Sequence, residues 1–196
     1  MTDKFLIEDS IRANFIEHLL NIELTQKILS EPIKEISKRL SHSLANGRTL
    51  FWAGNGGSAS DSQHLAAELV GRFSKNRRAL RSIALTTDTS VLTCVANDFG
   101  YDQIFSRQLE ALARPGDVFI GFSTSGNSPN IIKAFEVANK MSVETIGLLG
   151  KDGGEAKSIV NVSLVVPSSS TARIQEAHIL IGHILCDLIE KELSLD

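Results

Sequence analysis

Val118-Phe119-Ile120-Gly121-Phe122-Ser123-Thr124-Ser125-Gly126-Asn127-Ser128-Pro129 reads as three things in succession: a buried strand, a hydroxyl-rich loop and the start of a helix. The apolar run 118–122 has the length and composition of a strand covered on both faces. Pro129 fits the first turn of a helix, where its missing N–H costs nothing, and Ser128 is then the N-cap. Working outward, the runs 49–53, 82–86, 145–149 and 162–166 repeat the strand pattern. Helical stretches separate them at about 58–73, 90–96, 101–113, 129–141 and 153–159, with a last one at about 171–193. Such alternation predicts an α/β fold: a three-layer sandwich with a five-stranded parallel sheet flanked by helices. In sheets of this class ligands bind outside the carboxyl ends of the strands, so the loops that follow strands carry the search for function.

Before residue 48 the pattern is different. Leu6, Ile7, Ile11, Phe15, Leu19, Ile22 and Leu24 recur at mostly helical intervals, and Pro32 opens a second set with Ile33, Ile36, Leu40 and Leu44. This predicts an N-terminal helical pair over residues 1–47, stopped by Asn46-Gly47, ahead of an α/β core over 48–196. A leading helix pair needs a surface to pack on, and a second copy of the chain supplies one, so an oligomer is expected. The 196 residues, 42% hydrophobic, suffice for one well-packed domain. A net charge of −3 provides no basic field for nucleic acid or an anionic membrane. No apolar run approaches the roughly 18 residues of a membrane span and no leader pattern opens the chain, so a cytoplasmic protein is expected. Cys94 and Cys186 fit no metal-ligand spacing, and their apolar neighbours predict buried, reduced thiols.

Two loops carry the binding chemistry. In Ser123–Ser128 four hydroxyls surround a glycine at a helix N-terminus, where hydroxyls, amides and the positive helix end converge on a dianionic phosphate. No lysine or arginine occurs between Val118 and Ile132, which favours a small phosphoester over a polyanion. After the strand 49–53 comes Gly54-Asn55-Gly56-Gly57-Ser58, whose glycines let backbone N–H groups approach an anion. The acidic residue that a dinucleotide site needs about 20 residues on is missing, and no Gly-Lys-Ser/Thr follows for a P-loop. In the next helix His64 and Glu68, at i and i+4, share a face and suit a metal or an acid–base pair. The last helix offers Gln175, Glu176, His178 and His183. Glu176 and His183 share a face, whereas Gln175 is rotated by roughly 80° and displaced by about 12 Å from His183. His178 reads as a buried structural histidine. Asn97-Asp98-Phe99-Gly100 holds a carboxylate in an expected turn.

With these motifs in hand, the chain resembles the phosphoheptose isomerases of the sugar isomerase (SIS) domain family. The resemblance covers nearly the whole length as a single SIS domain over 1–196. It is carried by 53–58, His64-Leu65-Ala66-Ala67-Glu68-Leu69, Asn97–Gly100, Phe122–Ser128, Gly150-Lys151-Asp152-Gly153-Gly154 and Arg173-Ile174-Gln175-Glu176-Ala177-His178. It implies conversion of D-sedoheptulose 7-phosphate to D-glycero-D-manno-heptose 7-phosphate, the first step toward nucleotide-activated heptose for surface polysaccharides. It also implies a homotetramer with sites between subunits and one Zn²⁺ per subunit. By motif, Asn55, Gly56, Gly57, Asn97 and Asp98 would contact substrate, and Ser123, Thr124, Ser125 and Ser128 would hold the phosphate. His64, Glu68, Gln175 and His183 would ligate zinc. Glu68 and Gln175 would also face the sugar, and Glu68 and His183 would be catalytic. The rival within the family is a regulator that binds a replication initiator protein. That branch is expected to lack the acid at position 68 and the histidine at 183, and to carry an arginine in the serine loop. Cys186-Asp187-Leu188-Ile189 resembles it, but Glu68, His183 and Ser125 favour the enzyme.

Overall fold

A computed structural model describes residues 2–193, with side chains from residue 6 on. The chain runs α1 (Thr2–Ala45), β1 (Leu50–Ala53), α2 (Gly57–Val70), β2 (Ser82–Ala84), α3 (Thr89–Phe99), α4 (Ser106–Leu112), β3 (Val118–Ser123), α5 (Pro129–Lys140), β4 (Glu144–Gly150), α6 (Ala156–Ile159), β5 (Val162–Val166) and α7 (Thr171–Glu192). The five strands form one parallel sheet in the order β2-β1-β3-β4-β5. Alternate residues of each strand face opposite layers. Leu50 and Trp52 join Leu65, Leu69, Ile181 and Leu185 of α2 and α7, whereas Phe51 and Ala53 join Leu85, Phe105, Leu109 and Phe135 on the other side. The three-layer expectation is thus met.

The strand order reverses between β1 and β3, and their carboxyl ends diverge into different loops. This is the topological switch point at which doubly wound sheets bind ligands. The two loops singled out from sequence, 54–58 and 123–128, are the loops that leave β1 and β3.

The expected N-terminal pair is one helix. Pro32 lies inside α1 rather than opening a second helix. Proline removes one intrahelical hydrogen bond, but Leu29, Ile33, Ile36, Leu40 and Leu44 bury against the sheet and α7, and that burial carries the helix through. The stop at Asn46-Gly47 is as expected: Gly47 N–H donates to Leu44 O at 3.1 Å and Arg48 N–H to Ser43 O at 3.0 Å, the paired bonds of a Schellman end. The strand at 82–84 is an edge, with Ile83 exposed, so it is not covered on both faces. Among the described residues no helix is long and apolar enough to cross a membrane.

Candidate active site

The glycine loop and the serine loop are tied together beneath their tips. Asn55 and Asn130 exchange two amide hydrogen bonds, Asn55 Nδ2 to Asn130 Oδ1 at 2.9 Å and Asn130 Nδ2 to Asn55 Oδ1 at 2.8 Å. Tyr101 donates to Asn55 Oδ1 at 3.1 Å. Asn130 is the buried second residue of α5 and Asn55 precedes the N-cap of α2, so the pair fixes one helix start against the other. Neither Asn130 nor Tyr101 stands out in the sequence, although Asn130 directly follows the Ser128-Pro129 helix start.

In the serine loop the cap hydroxyl is not used as a cap. Ser128 is the N-cap of α5 and makes no side-chain cap bond; its Oγ lies 3.0 Å from Ser123 Oγ. Two hydroxyls therefore meet at the uncapped, positive end of a twelve-residue helix. The loop is braced from behind. Ala156 N–H donates to Gly126 O at 3.0 Å, Glu155 N–H to Asn127 Oδ1 at 2.9 Å, and Asn127 N–H to Ser125 Oγ at 3.1 Å. Gly126 has φ of 68°, and a Cβ there would lie 1.9 Å from Gly153 O. Only glycine allows this turn and this approach together.

His64, Glu68 and His183 come together where α2 packs on α7. His64 Nε2 lies 3.1 Å from Glu68 Oε1 and 3.3 Å from His183 Nε2. Close packing at Gly182 brings the two helices this near: a Cβ at that position would come within 2.4 Å of Leu65, the neighbour of His64. Phe73 lies over the His183 ring, centroids 5.7 Å apart and planes at 29°. Half-buried Asp61, one turn before His64 on α2, has its carboxyl pushed up by burial, with the two histidines opposing the shift. One ligand atom from each of the three residues lies within 4.8 Å of the others. Two bonds of about 2.1 Å meeting at a tetrahedral angle set donor atoms roughly 3.4 Å apart. The observed 3.1 and 3.3 Å separations, with a two-histidine, one-carboxylate donor set, fit such a cation. The three residues form a candidate metal-binding triad.

The other expected residues are placed as follows. Gln175 reaches over Gly57, with its amide nitrogen 2.9 Å from where a Cβ would stand. Gly57 opens α2 seven residues before His64, about 10 Å along the axis, so within one chain Gln175 is apart from the triad. Glu176, which spacing alone puts beside His183, is engaged elsewhere: His18 Nδ1 lies 2.6 Å from Oε2, and Arg173 donates to Oε1 at 2.8 Å. Asn97 and Asp98 lie in the last turn of α3 rather than in a free turn. They are exposed, with Asn97 donating to Asp98 at 2.7 Å. Cys94 is exposed and 3.5 Å from Asp98, contrary to expectation. Only Val95 of α3 is buried, and the next residue on a helix turns about 100° away. Cys186 is buried, as expected, with its thiol pushed up to about 12 by burial.

His178 is fully buried, as expected, with Nε2 3.0 Å from Leu149 O, which selects the neutral Nε2–H tautomer. Burial lowers its pKa from 6.5 to about 4. Above pH 6.5 it is neutral folded or unfolded. As pH falls from 6.5 to about 4, the unfolded chain takes up a proton that the folded chain refuses, and stability is lost. The loss totals on the order of 3 kcal/mol and levels off below pH 4. Urea unfolding of the parent and of His178→Gln across this range is expected to show a shallower pH slope in the variant; equal slopes would refute the assignment.

The SIS domain family model matches residues 15–150. A phosphoheptose isomerase from Geotalea daltonii is 54% identical to this chain over 185 residues, spanning 94% of this chain and 96% of its own. One from Sulfurimonas denitrificans is 52% identical over 193 residues, 98% of each chain. Among solved structures, that of a phosphoheptose isomerase from Neisseria gonorrhoeae superposes with a TM-score of 0.90 at 42% identity, covering 94% of this chain and 99% of that one.

Proposed function

The chain belongs to the SIS domain family, and from that premise we propose that it isomerises D-sedoheptulose 7-phosphate to D-glycero-D-manno-heptose 7-phosphate, the opening step toward nucleotide-activated heptose. It is an aldose–ketose isomerase acting on a phosphoheptose. The observations that support the detailed reading are a pair of hydroxyls at an uncapped helix N-terminus and, on the helix that follows the glycine loop, a His–Glu–His cluster completed from α7.

Ser123, Thr124, Ser125 and Ser128 hold the phosphate at the N-terminus of α5, and Asn55, Gly56 and Gly57 contact the sugar. Glu68 is the base that moves a proton between the two carbons flanking the carbonyl shift, through an enediol. Its Oε1 meets His64, which leaves Oε2 for the proton. His183 relays the oxygen-bound proton. His64, Glu68 and His183 would hold Zn²⁺, which when bound stabilises negative charge on the enediolate oxygen. Gln175 completes the ligand set across a subunit boundary, and Asn97 and Asp98 approach substrate there as well. Support for an assembly comes from α1, where Leu6, Ile7, Phe15, Leu19 and Leu20 are each more than half exposed and Phe15 reaches 67%. A face that apolar is covered in a stable protein, and a homotetramer built on α1 covers it.

The deciding assay follows turnover of sedoheptulose 7-phosphate against shorter ketose phosphates, with bound metal measured before and after a chelator. Preference for the seven-carbon substrate is expected. Activity lost to the chelator should return with Zn²⁺. Equal turnover of the shorter sugars would overturn the substrate, and full activity without metal would overturn the zinc.

A further inference from the structure

Arg77 and Glu190 form an ion pair whose side chains are 0% and 1% exposed, with Arg77 Nε donating to Glu190 Oε1 at 2.9 Å. A buried pair of this kind is tolerated only when its remaining donors and acceptors are satisfied, and here they are satisfied in a directed way. Glu190 collects the backbone N–H groups of Phe73, Ser74 and Lys75 at 3.0–3.1 Å together with the Ser74 hydroxyl. Burial alone pushes the carboxyl up, but the N–H bonds from Lys75, Ser74 and Phe73 outweigh it and hold Glu190 down at about 2. Arg77 turns its other face to the end of α2. Its Nη2 donates to Glu68 O at 2.8 Å, and its Nη1 to Leu69 O at 2.8 Å and Gly71 O at 3.3 Å. The last carbonyls of a helix lack intrahelical partners and carry its negative end, so a guanidinium placed there serves as both cap and counter-charge.

The two halves of this clasp end on the reacting groups. Glu68, whose carbonyl Arg77 holds, contributes its carboxylate to the triad. Phe73, whose N–H Glu190 holds, lies over the ring of His183. Glu190 itself is two turns after His183 on the same face of α7.

We propose that Arg77 and Glu190 are positioning residues, which set the spacing of Glu68 and His183 by locking the end of α2 and the Phe73 loop onto α7. The inference rests on the assignment of the triad made above. Neither residue touches substrate; each acts through the group it fixes. Shells of this kind around metal ligands are worth about 10–100-fold in metal affinity or activity.

The test loads the full-length protein with Co²⁺, whose visible spectrum reports coordination, and measures kcat, KM and thermal midpoint on the same samples. Glu190→Gln is expected to weaken Co²⁺ binding by about 10–100-fold and to lower kcat by about tenfold or more, with KM within roughly threefold. Arg77→Lys keeps a charge opposite Glu190 but loses the fork of bonds to α2, and is expected to fall in the same direction; it decides the matter if Glu190→Gln does not fold. Leu109→Ala, buried on the opposite face of the sheet, is the comparison for stability alone. It should lower the midpoint and leave the Co²⁺ spectrum and kcat as they were. If the clasp variants behave like Leu109→Ala, the positioning role is overturned and the ion pair is only structural. His64→Ala separates the two readings. Unchanged Co²⁺ binding in that variant overturns the triad itself, whatever the clasp variants do.

Discussion

Glu68→Gln is expected to lower kcat by about a thousandfold or more while KM stays within a few-fold, because removing a general base costs about 10²–10⁴ in rate. The substitution is nearly isosteric, and an amide oxygen can still meet His64 where Oε1 does at 3.1 Å. In the proposed reading the serine loop holds the sugar phosphate, so binding is expected to survive. What is lost is an oxygen basic enough to take a proton from carbon. Two readouts check this: steady-state kinetics, and exchange of substrate hydrogen with deuterium from solvent, which stops if the proton never leaves carbon. Near-normal turnover in the variant would remove Glu68 from the mechanism.

Gly126→Ala is expected to act on both binding and stability, through the phosphate loop. A methyl group at φ of 68° costs about 1–3 kcal/mol in backbone strain. It also points at the Gly153 carbonyl oxygen, a backbone atom that no rotamer change can move aside. The 153–154 turn has to shift, taking with it the bonds from Ala156 N–H and Glu155 N–H that brace the loop. KM is expected to rise by about tenfold or more with a smaller change in kcat, since the loop is proposed to grip a part of the substrate remote from the reacting carbons. Strain plus overpacking of roughly 2–4 kcal/mol lowers the thermal midpoint by about 5–10 °C. A lowered midpoint with an unchanged KM would mean that the loop does not hold the substrate.

The strands and the two loops after β1 and β3 are legible because their signals are local: short apolar runs end abruptly in glycine or serine, and that pattern has one reading in an α/β chain. Pro32 misleads for the same reason. Its effect on hydrogen bonding is local and visible, whereas the burial of Leu29, Ile33 and Ile36 that overrides it depends on residues far along the chain. Cys94 misleads because apolar neighbours in sequence are not neighbours on a helix surface. Within the candidate site, the His64/Glu68 pair is readable from its i, i+4 spacing, and the mismatch between Gln175 and His183 is readable from helix geometry. Phe73, Arg77, Asn130 and Glu190 leave no such trace. The Arg77–Glu190 pair spans 113 residues and the Asn55–Asn130 pair 75, and no periodicity encodes contacts of that range. Gly182, a glycine inside an apolar helical run, allows the close approach of α7 to Leu65, but the sequence names no partner for it.

The contact of α1 with α7 sets the timetable of biosynthesis. His18 meets Glu176 across 158 residues, and Asn21 meets Arg173 across 152. A ribosome adding about 5–20 residues per second delivers α7 roughly 8–30 s after α1. Throughout that interval the first helix lacks the helix it pairs with. The triad waits as well, because His183 arrives on that final helix. Substitutions that make α1 more apolar are therefore felt first by the nascent chain, as a lower yield of soluble protein. The molecules that do complete folding should keep full activity.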